Sequence, residues 1–348
     1  MLNGIRVLDF SQYLPGPFAS LRLAEMGAEV IKIEPPHGDP ARQLSEGVVF
    51  RANNRNKQSK TFNLKDSLEK NELKKLIQTA DVLLESFRPG VMKKHGLSYE
   101  EVKAFHPTVI YCSLSGYGHD SPLAHLGSHD LNYMALSGVL THFSDHSGRP
   151  VHPTTTLADL VGGTVASEAI LAAIIKKLRT GDGAYIDLAI TDMMVGLQTN
   201  HVLYEKEKIS KKGIPEIDGS NISYHLYETK DGRYISIAAL EMKFWKEFCI
   251  WAGKERWIEA HLSAANETNA VYHEVKAFFK TYTFEQWLKF SMEVDACLAP
   301  VLSIEELPHH PHVKKRELIF EPQWGDRQVR VTPFKNSHTN RPPMLSSK

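Results

Sequence analysis

Cysteine is scarce in this 348-residue chain: Cys112, Cys249 and Cys297 are far apart and form no C-x-x-C pair. An odd, sparse set excludes a disulfide framework and points to thiols kept reduced, so a cytoplasmic location is expected. Neither sign of charge is in excess, because 41 Lys and Arg balance 41 Asp and Glu. Nucleic-acid and membrane-surface proteins carry a basic surplus, so neither partner is expected here. A small phosphorylated ligand remains open, since a few placed cations suffice for it. The 17 histidines include no H-E-x-x-H spacing. His309, His310 and His312 sit among prolines without carboxylate or thiolate partners, so no metal is expected. The N-terminus has no apolar stretch of signal-peptide or membrane-span length. The last residues, Ser346-Ser347-Lys348, stop short of a peroxisomal address.

Another absence bears on cofactors. Ile5–Phe10 reads as a strand, and the loop after it is Ser11-Gln12-Tyr13-Leu14-Pro15-Gly16-Pro17. It lacks the G-x-G-x-x-G glycines that bring a pyrophosphate against the backbone. Glu34 ends the next strand where a ribose-binding acid could stand, yet no nicotinamide is expected.

What is present alternates. Phe18–Met26 has helical spacing, Gly27 ends it, and Ala28–Glu34 reads as a strand. Leu68–Ala80 and Tyr99–Phe105 read as helices, Val82–Glu85 and Val109–Leu114 as strands. Thr154–Arg179 predicts a long helix, Tyr185–Ala189 a strand, and Thr191–Tyr204 a further helix. The fold class is therefore α/β, with a parallel sheet covered on both faces. At this length two domains are expected. Residues 206–220 read as a linker, and residues 221–305 as a smaller α+β domain, opened by a hairpin around Lys230-Asp231-Gly232. A second hairpin is expected near Gly325.

Several segments could carry chemistry. Phe87-Arg88-Pro89-Gly90 follows the third of these strands at the carboxyl edge, where open α/β sheets bind ligands. An arginine there can hold phosphate bidentately. Arg55 and Lys57, set among Asn53, Asn54 and Asn56 with Lys60 nearby, add cations in the same half of the chain. They also suggest an anionic ligand. His129, at a loop-to-helix junction, has a side chain suited to general base catalysis, with packing as the alternative. Asp159 falls near the first turn of the long helix, where the dipole favours a carboxylate. Next to it, Gly162-Gly163 would let a ligand approach the backbone. Glu241 follows a strand of the smaller domain and on its own reads as a surface acid.

Taken in order, Gly4–Asp9, Gly27–Glu34, Phe87–Gly90, Ser115–Gly118, Thr180–Gly183 and Ala299–Val301 resemble the family III CoA-transferase superfamily, the CaiB/BaiF type. That superfamily includes CoA-transferases and α-methylacyl-CoA racemases. The resemblance implies a Rossmann-like large domain from residues 1–205 and 306–348, a small domain at 221–305, and an interlocked homodimer. It implies coenzyme A, as an acyl-CoA substrate, with Arg88, Pro89, Lys57, Asp130 and Tyr133 around it. Asp159 corresponds to the catalytic carboxylate. Gly127-Ser128-His129-Asp130-Leu131-Asn132-Tyr133 is similar to the racemase G-H-D-x-N-Y motif, with one serine inserted. Glu241 matches a racemase glutamate, implied to pair with His129, whereas the glycine-rich loop of the transferases is missing from Ile237–Met242. The expected activity is therefore epimerisation of a 2-methylacyl-CoA by proton transfer between His129 and Asp159. CoA transfer through a covalent Asp159 intermediate is the alternative. A backbone N–H near Asp130 is expected to meet the enolate oxygen. The tail Pro342–Lys348 departs from the family's usual ending.

Overall fold

The computed structural model describes residues 1–145, 147–210 and 213–334. The atypical tail lies outside the described residues. The chain divides into two compact units. The first is Met1–Gln198 with the described part of Glu317–Lys348, and the second is Thr199–Arg316. These limits differ from those expected at residues 205 and 306.

The first unit runs β1 (Arg6–Asp9), α1 (Pro15–Glu25), β2 (Glu29–Glu34), α2 (Val48–Asn54), β3 (Gln58–Thr61), α3 (Ser67–Ile77), β4 (Val82–Glu85), α4 (Val91–Lys94), α5 (Tyr99–Phe105), β5 (Ile110–Ser115), α6 (Asp130–Leu136), α7 (Leu157–Thr180), β6 (Ala184–Ala189) and α8 (Ile190–Gly196). Its six strands are all parallel, in the order β3-β2-β1-β4-β5-β6. Strands β4 and β5 are buried throughout, which is why they read as apolar runs without alternation. Helix starts follow local chemistry. Pro15 stands in the first turn of α1, Asp66 accepts from the Leu68 and Glu69 N–H groups, and Ser98 and Glu101 form a capping box on α5.

Helix α7 is long and apolar enough, by length and composition alone, to cross a bilayer. Its buried residues include Ala158, Ala166, Ile170 and Ile174, which join the core formed with α1 and β5. It ends at Gly181, whose φ of +79° supplies the left-handed cap.

Two expectations are corrected here. Residues 191–204 do not form one helix: α8 ends at Gly196, and α9 (Thr199–Lys206) begins in the second unit. Glycine weakens the helix there. The Gln198 side chain is also drawn inward, donating to Ser137 O (3.3 Å) and accepting from His142 Nε2 (2.9 Å). The glycine pair in α7 is closed to ligand. A Cβ on Gly163 would collide with the Pro15 carbonyl oxygen, and one on Gly162 would lie 2.8 Å from Ile190 Cγ1. These glycines let α1 and α8 pack against α7.

The second unit continues with β7 (Tyr224–Glu228), β8 (Tyr234–Ala238), α10 (Met242–Trp251), α11 (Ala270–Phe279), α12 (Phe284–Glu293), β9 (Leu298–Pro300) and α13 (Pro311–Lys315). Its antiparallel sheet β7-β8-β9 covers an aromatic core in which Phe279 stacks on both Tyr227 and Trp287, with centroids 4.4 Å apart in each pair. The chain then returns to the first unit with the hairpin β10 (Ile319–Phe320) and β11 (Gln328–Val329).

Candidate active site

In the sheet order 3-2-1-4-5-6, the connections from β1 and β4 leave in opposite directions, so their carboxyl ends border a crevice. A cavity of about 450 Å³ opens there. Gln12 and Tyr13 from the loop after β1, Pro15 from the first turn of α1, and Phe87, Arg88 and Pro89 from the loop after β4 line it. His129, Tyr133 and Asp159 line it too. A second cavity of about 460 Å³ shares Gln12 and Phe87 with the first and includes Phe62, Leu64 and Lys65.

His129 is the N-cap residue of α6, where the Asn132 side chain accepts from its backbone N–H (3.0 Å). Its imidazole is exposed, on a cap that an Asn three residues later fixes. Asp159 lies in the first turn of α7, and its backbone N–H donates to Asp130 Oδ1 (3.0 Å). Asp130 thereby ties the start of α6 to that of α7. Burial raises the Asp159 carboxyl to about 7, and the Asp130 charge adds to the rise. Tyr133 is buried, donates to Ser128 O and accepts from Ser128 Oγ, each at 3.1 Å. Gly116 makes room for this pair, since a Cβ there would lie 2.6 Å from the Tyr133 ring.

Arg88 is exposed, and its guanidinium forms no ion pair or hydrogen bond among the described residues, so it is free to meet a ligand. Lys57 is the contrary case, and its assignment to the ligand is corrected. It is 3% exposed, sits 3.1 Å from Asp9 Oδ2, and donates to Pro17 O and Asn54 Oδ1. Burial lowers its ammonium to about 7 against the opposing pull of Asp9. Glu34 is likewise engaged, by Arg42, Ser59 and the Asp39 N–H. Glu241 belongs to the second unit, as the N-cap residue of α10.

Sequence reasoning missed the network beneath the first loop. Lys32 Nζ contacts Asp39 (2.9 Å) and donates to Ser11 O (2.6 Å), while Asp39 Oδ1 accepts from the Tyr13 N–H (3.1 Å). Buried charges thus hold the backbone of Ser11, Tyr13 and Pro17 beside the cavity. Tyr13 adopts φ +64°, uncommon for a residue with a side chain. Asn tolerates that region, so Tyr13→Asn is expected to stabilise the protein by about 0.5–1 kcal/mol. Calorimetry would register this as a Tm rise of about 1 °C.

A doubly wound sheet with a perturbed carboxylate and a free arginine at its switch point defines an α/β enzyme site for an anionic small molecule. The family description CoA-transferase family III matches residues 2–347, and the chain belongs to that family. It is 31% identical over 369 residues to succinyl-CoA:glutarate CoA-transferase of Mus musculus, covering 99% of this chain and 84% of the relative. It is 32% identical over 338 residues to alpha-methylacyl-CoA racemase of Homo sapiens, covering 96% and 86%. Among solved structures, a CAIB/BAIF family protein from Brucella suis superposes with a TM-score of 0.85 at 28% identity, covering 99% of this chain and 96% of that one. The chain is thus an enzyme of the family III CoA-transferase and racemase type, and its family implies CoA-thioester substrates.

Proposed function

We propose that the protein epimerises a 2-methylacyl-CoA, with His129 and Asp159 exchanging the α-proton. The observation that carries this reading is the Asp159 carboxyl, raised to about 7 in the cavity that His129 also lines. An acid–base catalyst works best with a pKa near the operating pH, where both of its forms are populated. One group removes the α-proton, the thioester oxygen takes the negative charge as the enolate, and the other group returns a proton to the opposite face. The Asp130 backbone N–H is assigned to that oxygen. Glu241 is assigned to orient His129 within a homodimer. Exposed Leu131, Leu136, Val195 and Leu197 on and beside α6 and α8 support association with a second copy. The acyl-CoA is placed across the two cavities that share Gln12 and Phe87, with Arg88 on its phosphates and Pro89 and Tyr133 against it. Three unpaired cysteines support a cytoplasmic location.

The second reading is CoA transfer between carboxylic acids, favoured by the similarity to the glutarate transferase over 99% of the chain. There Asp159 attacks the thioester carbonyl and expels CoA thiolate, leaving a mixed anhydride. Incubation of a single-epimer 2-methylacyl-CoA in heavy water separates the two. Deuterium uptake at the α-carbon with loss of chirality, and without an acceptor acid, is expected. No exchange, together with CoA movement once a free carboxylate is added, establishes the transferase instead. His129→Ala is expected to slow epimerisation by about 10²-fold or more, read from the same exchange rate.

A further inference from the structure

Glu85 closes β4, is 2% exposed, and has no ion-pair partner among the described residues. One carboxyl oxygen accepts from the Phe87 N–H (2.8 Å), so this side chain shapes the turn that carries Arg88. The other accepts from the Ser113 hydroxyl, its register partner on β5. Ser113 is itself inaccessible, and its Oγ lies 2.7 Å from Nε2 of exposed His119. The His119 backbone N–H is held by both Asp187 oxygens, at 2.9 and 3.2 Å. The result is a two-bond path from solvent to a buried carboxyl.

We propose, resting on the family III reading above, that Glu85 is a positioning residue for the Phe87–Pro89 turn. Ser113 and His119 exchange its proton with solvent, so the hold of Arg88 on a CoA ligand depends on pH. Ionised Glu85 accepts from both Phe87 and Ser113. On acidification, His119 takes a proton from hydronium at Nδ1, leaving water, and releases the one at Nε2 to Ser113. Ser113 passes its own proton to Glu85, so serine ends unchanged and His119 ends neutral. Protonated Glu85 is a weaker acceptor for the Phe87 N–H, and the turn loosens. The groups facing Glu85 are Tyr111 and Cys112 on β5, Tyr185 and Asp187 on β6, and Arg88, Lys93, Glu100 and His119 around an adjoining cavity of about 160 Å³. Burial raises the Glu85 carboxyl to about 7, Asp187 adds to this, and the bonds from Ser113 and Phe87 oppose it. Arg88 lines both this cavity and the catalytic one, which connects the two.

The test is titration calorimetry of coenzyme A into the full chain between about pH 6 and 8.5. Wild type is expected to lose about threefold or more in affinity toward the acid end, relative to Glu85→Gln. Gln at this position accepts from Phe87 at every pH, so its profile keeps the titrations of the ligand and of Asp159, which wild type shares, and loses only that of Glu85. Ser113→Ala is expected to move the midpoint upward, because it removes a bond to the ionised carboxyl. Identical profiles for wild type and Glu85→Gln overturn the proposal, as does an unmoved midpoint in Ser113→Ala. Wild type that fails to bind coenzyme A at any pH overturns the placement of the acyl-CoA on Arg88 given under the proposed function, and the present proposal falls with it.

Discussion

Asp159→Ala is expected to lower turnover by about 10³-fold or more, whether the group moves a proton or attacks a thioester. The measurement is turnover with an acyl-CoA, alongside a circular-dichroism check that the variant folds. Normal turnover without Asp159 would place the chemistry elsewhere. The isosteric change Asp159→Asn adds a readout in stability. The carboxyl lies at about 7 in the native state against 3.8 in an exposed chain, so between these values the native state binds more protons. Stability from this group therefore falls as pH rises through that window, and the penalty is complete above about pH 7. Asn stays neutral. Asp159→Asn is thus expected to be more stable than wild type by about 1–2 kcal/mol at pH 8, discounted for partial exposure, with the gain vanishing near pH 3. A carboxyl held against its own solvation is the kind of strain a fold tolerates where activity requires it.

The second large effect lies beneath the first loop. Asp9→Ala removes the carboxylate beside Lys57 and 4.0 Å from Lys32, leaving two buried ammonium groups with less compensation. A loss of about 3–5 kcal/mol is expected in denaturant unfolding. The double variant Asp9→Leu/Lys57→Met should lose less than the sum of the two single changes, because no orphaned charge remains. Burial would raise the Asp9 carboxyl, but Lys32, Lys57 and the Ser11 and Ser20 hydroxyls outweigh it and hold it far below the usual range. Its contribution is present above an ordinary carboxylate pKa and lost as pH falls toward the folded value. The variant should accordingly show a weaker acid dependence than wild type below about pH 4. Additive losses in the double variant would mean that the charges are not coupled.

Much of the α/β pattern was legible because buried parallel strands are apolar throughout and helix ends carry local signals. Val82–Glu85 and Tyr99–Phe105 appear with the bounds their sequence suggests. Strand β3 was illegible because Gln58-Ser59-Lys60-Thr61 is polar and lies at the sheet edge, where no apolar run is required. Arg88 could be placed because a strand end in an open α/β sheet is a ligand position. Lys57 could not, because its partner Asp9 stands 48 residues away and a loop lysine reads as exposed. The Asp130 contact with the Asp159 backbone is also long-range, spanning 29 residues, and leaves no local spacing to detect. The glycine pair shows the limit of composition: a missing Cβ serves ligands and neighbouring helices alike, and only packing tells them apart.

The return of the C-terminal segment to the first unit has a consequence for biosynthesis. Buried Arg55 bonds Glu25, Gln328 and the Val329 carbonyl, Arg22 donates to Val331 O (2.5 Å), and Glu25 accepts from the Val331 N–H and Thr332 hydroxyl. Residues near position 25 thus find their partners only after some 300 further residues have left the ribosome. The second unit is contiguous and can close while synthesis continues. The first unit, although most of it is translated first, is finished last.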